Sequence, residues 1–135
     1  MKRQTFTFAW AMWDVDAAQA RVDAGAGNRV RVNIADLTGI TRMVYVDEVY
    51  AATHPTPDAP VVLASMPTSE GFFSLPIDGW HRIAHWRARG AETIAAVQLD
   101  PPDSYQTLLS GKDIYRRLAK KADPSVKLTA KRTSR

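Results

Sequence analysis

Across a single pair, Asp78-Gly79, the spacing of the hydrophobic residues changes, and that change dictates the local path of the chain. Before it, Phe72 to Ile77 reads as a strand. After it, Trp80, Ile83, Ala84 and Ala88 recur along one helix face. Gly90 stands where a helix-ending glycine belongs, and Thr93 to Leu99 is strand-like again. Upstream, Pro60-Val61-Val62-Leu63-Ala64 is an apolar run suited to a buried strand, and Pro67 to Gly71 supplies the turn into Phe72. The order is strand, turn, strand, sharp corner, helix, strand. A chain so ordered is expected to fold as a small α+β (mixed α/β) sheet with helices.

The first half is patterned more weakly. Thr5 to Trp10 alternates with period two, as one half-buried strand does. Asp14 reads as an N-cap for a helix from Val15 to Ala24, ended by Gly25. Arg29 to Ile34 alternates again, with Val30, Val32 and Ile34 on one face, and Asp36 to Gly39 is a turn. A helix over Met43 to Ala52 must stop before His54-Pro55-Thr56-Pro57. Beyond Leu99, Asp100-Pro101-Pro102 breaks the strand, and Asp103 or Ser104 caps a new helical segment. Tyr105, Leu108 and Leu109, then Ile114, Tyr115 and Leu118, imply two helical pieces interrupted at Gly111.

Charge divides the chain. Residues 1–111 carry nine Lys/Arg against twelve Asp/Glu, whereas residues 112–135 carry nine against two. A domain over 1–111 with a basic tail over 112–135, partly helical and then disordered, is the expected organisation. Such a tail is the footprint of phosphate-backbone contact through Lys112, Arg116, Arg117, Lys120 and Lys121, or else a solvated terminus. The absence of cysteine excludes disulfides, thiolate metal sites and cysteine nucleophiles together. No apolar run approaches the ~20 residues that span a bilayer, so no membrane partner is expected and the cytoplasm is the expected compartment.

The corner itself carries the chemistry. A helix opening from a glycine turn presents free N–H groups and the positive end of its dipole, which favour an anion. His81 would add a titratable group there, and Arg82 a fixed charge with bidentate phosphate geometry. Asp78 would repel a bare phosphate. It makes sense as a Mg²⁺ ligand or as acceptor of a proton from an attacking hydroxyl. The competing reading has Asp78 capping the helix while His81 and Arg82 face water. Glu48 or Glu70 would be a second carboxylate for the corner. His81 and His85 are spaced i,i+4, as a metal pair would be. Trp10, Trp13 and Trp86 are able to stack bases, although large aromatics in a small domain usually form core.

The stretch from Pro60 to Leu99 resembles the ParB/sulfiredoxin superfamily, whose signature, a hydrophobic residue followed by Asp-Gly-x-His/Arg-Arg, opens a helix after a strand pair. The matching residues here are Ile77-Asp78-Gly79-Trp80-His81-Arg82. The resemblance implies that Gly79, Trp80, His81 and Arg82 hold the phosphates of ATP or CTP; the expected catalytic groups are Asp78, His81 and Arg82, with Mg²⁺ on Asp78. Two departures matter. Trp80 occupies the position of sulfiredoxin's reactive cysteine, which excludes sulfinic-acid reduction. Trp80-His81-Arg82 replaces the Glu-Arg-Arg usual in ParB, nearer the pattern of the kinase-like members. The 36 residues after Leu99 are too few for ParB's helix-turn-helix domain. The expected function is nucleoside triphosphate binding with Mg²⁺-dependent hydrolysis or phosphoryl transfer. The alternatives are a plasmid- or phage-type accessory protein that binds nucleic acid, including nonspecific DNA, or a catalytically silent protein that binds a protein partner.

Overall fold

The computed structural model describes residues 4–37 and 59–129. The expected helix at Met43–Ala52, with Glu48, His54, Lys131, Arg132 and Arg135, lies outside these residues. The described elements form an α+β fold of two sheets with helices packed on them.

The larger sheet holds β3 (Asn28–Asn33), β4 (Val61–Thr68), β5 (Gly71–Asp78) and β6 (Thr93–Gln98), in the order β3-β6-β4-β5. β4 and β5 form an antiparallel hairpin, and β4 runs parallel to β6. Helix α2 (Trp80–Ala88) makes the crossover that a parallel pair requires. As a central strand β4 is buried on both faces, which is why Val61 to Met66 carries no outward-facing charged residue. Val62, Ala64 and Met66 enter one core with Leu75, Ile77, Val97 and Leu99. Val61 and Leu63 enter another, with Trp80, Ile83, Ile94 and Ala96.

The smaller sheet corrects the expectation of a single strand over Thr5–Trp10. The chain turns at Ala9 and Trp10, so β1 (Thr5–Phe8) pairs antiparallel with β2 (Ala11–Asp14). Ala9 takes a left-handed φ of 53°, a conformation that non-glycine residues adopt rarely and at a cost. Asp14 does cap helix α1 (Val15–Asp23): its Oδ1 accepts from the Ala17 N–H at 2.9 Å. Ile34–Leu37 forms a 3₁₀ turn, so Ile34 lies just past β3 rather than in it.

The C-terminal segment also departs from expectation. Helix α3 spans Pro101–Gln106, with prolines at positions that need no amide donor. A short strand β7 (Leu108–Ser110) then joins β2. Helix α4 (Lys112–Ala122) is no appendage: Tyr115 and Ala119 are fully buried in the main core. Val126 and Leu128 pack against that core as well, so the described chain beyond Pro124 is docked.

Among the described residues, no helix is long and apolar enough to cross a membrane.

Candidate functional site

The site is built on the turn from β5 into α2. Gly79 adopts φ 99° and lies against Val61, the first residue of β4; an added Cβ would sit 3.0 Å from Val61 Cγ2 and 3.2 Å from its Cα. Glycine is required there on both counts. Its carbonyl accepts the first helical bond, from the Ile83 N–H at 3.0 Å. No side chain of the cap residue covers the helix start, so the first-turn amides keep their donor character.

Arg82 folds back over this corner. Its Nη1 donates to the Pro60 carbonyl at 3.2 Å, and its Nη2 stands 3.8 Å from Asp78 Oδ2. The second distance is an ion pair too long for a hydrogen bond. Both side chains are about five-sixths buried, at 17% exposure each. Asp78 therefore faces a guanidinium.

The other expected site residues separate. The Trp80 side chain turns into the core and stacks on Phe6, with ring centroids 5.8 Å apart and planes at 26°. Its Nε1 is buried with no hydrogen-bond partner. His81 is exposed, whereas His85 is buried, with Nδ1 3.2 Å from Arg89 Nη1. The two histidines thus stand in unlike environments. Among the described residues, no three His, Asp or Glu side chains cluster as a metal site would need. Glu70 sits in the turn before β5, a strand of eight residues away from the corner, and does not meet Asp78.

No known protein family, curated protein or solved structure matches the chain.

Arg82 opens onto a cleft of about 310 Å³ that also touches Arg31, Trp86, Thr93, Ile94 and Ala95. Arg31 comes from β3, where it pairs opposite Ala95 of β6. Thr93 Oγ1 accepts from Arg31 Nε at 3.2 Å and from Nη2 at 3.1 Å. That clamp fixes the guanidinium plane at little further entropic cost. Among the described residues its lining holds two arginines and no carboxylate. Local spacing does not bring Arg31 to the corner, because residue 31 meets residue 93 only through the β3–β6 register.

A second basic surface lies on α4. Arg116, Arg117, Lys120 and Lys121 are exposed, on the side away from Tyr115 and Ala119. Arg116 is held by Tyr105, whose hydroxyl accepts from Nη2 at 2.6 Å, and Lys112 Nζ lies 5.2 Å from the same ring centroid. Arg117, Lys120 and Lys121 make the outward charge of a docked, rigid helix.

Proposed function

We propose that the protein binds a nucleoside triphosphate, ATP or CTP, with its phosphates between the α2 corner and the Arg31–Arg82 cleft. The observation that carries this is the pair of arginines lining one concavity, with no carboxylate among its described lining residues. Asp78 offsets part of the Arg82 charge, and an anion with several oxygens would meet the remainder together with the charge of Arg31. Arg82 lies in the first turn of α2, whose uncapped start supplies amide donors, and the likeness of Ile77–Arg82 to the ParB/sulfiredoxin signature supports the same ligand.

Mg²⁺ held by the protein does not fit the corner. Asp78 is a single carboxylate, and the neighbouring Arg82 guanidinium would repel a metal ion. In this reading Mg²⁺ arrives as the counter-ion of the triphosphate. Hydrolysis or phosphoryl transfer would draw on Asp78 and His81, and release of diphosphate from Mg-ATP or Mg-CTP measures it.

Arg82→Ala is expected to weaken nucleotide binding by roughly 10- to 150-fold, the loss of one charge-assisted bond. Titration calorimetry on both proteins reads this. Unchanged affinity would remove Arg82 from the site and the reading with it. The variant also loses the bond to Pro60, so a stability cost of about 1 kcal/mol is expected alongside.

The exposed cations of α4 favour a second reading, nonspecific nucleic-acid binding through phosphates. Truncation after Ser110 would remove the buried Tyr115 and Ala119 and so unsettle the fold. Replacing Arg117, Lys120 and Lys121 by Ala removes charge from exposed positions only. The slope of log affinity against log salt on duplex DNA should then become shallower by about 0.9 for each residue that contacts a phosphate. An unchanged slope, or no binding by the native chain at low salt, defeats this reading.

A further inference from the structure

Trp86 lines the same cleft as the two arginines, and neither the signature nor the phosphate reading uses it. At 37% exposure it is one of few large hydrophobic side chains among the described residues left open to water. Its ring makes a T-shaped contact with His85, with centroids 5.1 Å apart and planes at 83°. Ala91, Ile94 and Ala95 make the rest of this lining largely small and apolar. One concavity is thus lined by an indole, small apolar side chains and two arginines. A ligand that matches all three carries a planar ring and an anionic group. A volume of about 310 Å³ lies at the lower end of small-molecule sites.

We infer that Trp86 is the stacking platform for the base of the bound nucleotide, and that Arg31 is a second phosphate ligand beside Arg82. The inference rests on the nucleotide reading above and adds what discriminates a nucleotide from inorganic polyphosphate. Indole stacking recognises the π-face that every base carries, so Trp86 selects for the presence of a base. Arg31 and Arg82 recognise phosphate whatever is attached to it.

The test titrates ATP and inorganic tripolyphosphate, each with Mg²⁺, against the full chain and its variants. Trp86→Leu should weaken ATP by roughly 5- to 150-fold and leave tripolyphosphate unchanged. Trp86→Phe, which keeps a ring, should fall between and guards against a folding defect in the leucine variant. Arg31→Ala should weaken both ligands alike. Quenching of tryptophan fluorescence by ATP should shrink in Trp86→Leu. Equal binding of ATP to native and Trp86→Leu proteins overturns the stacking inference while leaving the phosphate reading standing. An Arg31→Ala variant with native affinity for both ligands overturns the role of Arg31. Failure of the native chain to bind either ligand overturns both readings together.

Discussion

Tyr115→Ala is expected to cost about 3–5 kcal/mol of folding stability, and Tyr115→Phe only about 1–2 kcal/mol. Tyr115 is 0% exposed, and its hydroxyl donates to the Ser65 carbonyl at 2.6 Å, in the middle of β4. Its ring packs edge-on to Trp10 at 6.4 Å and beside Tyr105 at 5.8 Å. One side chain therefore ties α4 to the central sheet and to the β1–β2 turn. The alanine variant loses ring packing and leaves a cavity; the phenylalanine variant loses only the hydrogen bond. Against a usual total of about 5–15 kcal/mol, the first brings the protein near unfolding. Urea denaturation of the three proteins reads the difference, and a loss below about 1 kcal/mol for Tyr115→Ala would show that α4 is not docked. Burial also pushes the Tyr115 phenol above its ordinary range. The unfolded chain then ionises first, so this contribution is complete below about pH 10 and is lost as pH rises beyond it. Tyr115→Phe should remove that part of the alkaline loss.

That α4 belongs to the core was hidden by its composition. Five cations crowd its eleven residues, and only Tyr115 and Ala119, one turn apart, reach full burial. A short apolar stripe among so many charges looks like a solvated face. The β4–β5–α2–β6 segment was legible for the opposite reason. There the spacing of apolar residues changes at a glycine corner, and the pairings of β4 with β5 and with β6 join nearby stretches of chain. The β1–β2 turn was not legible, because Ala9 and Trp10 are not turn residues and the left-handed Ala9 is held by tertiary context. Nor was the polar network in the core. Ser104 Oγ accepts from the Ser65 N–H at 2.8 Å, and Trp13 Nε1 donates to the Ser104 carbonyl at 2.9 Å. These bonds join residues 39 and 91 positions apart.

The candidate site divides along the same line. Asp78, Gly79 and Arg82 meet at the corner as local spacing implies. Trp80 and His81, adjacent in the chain, part company because successive helix residues point about 100° apart, one into the core and one to water. Arg31 arrives from a strand whose partner begins sixty residues later, and only the fold places it beside Thr93.

Gly111→Ala should destabilise by on the order of 3 kcal/mol or more, and Gly25→Ala by about 1–2 kcal/mol. Both glycines hold left-handed backbones, φ 93° at Gly111 and φ 100° at Gly25, so each alanine incurs the same conformational cost. They differ in what surrounds them. A Cβ at Gly25 meets open space, whereas one at Gly111 lies 2.5 Å from the Trp10 carbonyl oxygen and 2.9 Å from Trp10 Cε3. The carbonyl is main chain in the β1–β2 turn and cannot swing aside as a flexible side chain would. Relief requires α4 to move away from the turn, which loosens the Trp10–Tyr115 contact as well. The penalty at Gly111 is therefore strain plus overpacking, typically another 1–3 kcal/mol. Chemical denaturation of the two variants side by side cancels the shared cost and leaves the contact term. Equal losses would mean that Gly111 is kept for its φ alone and that α4 does not seat against the hairpin. A larger loss at Gly111, with Arg117, Lys120 and Lys121 still exposed on the same helix, makes the basic face a rigid part of the folded body.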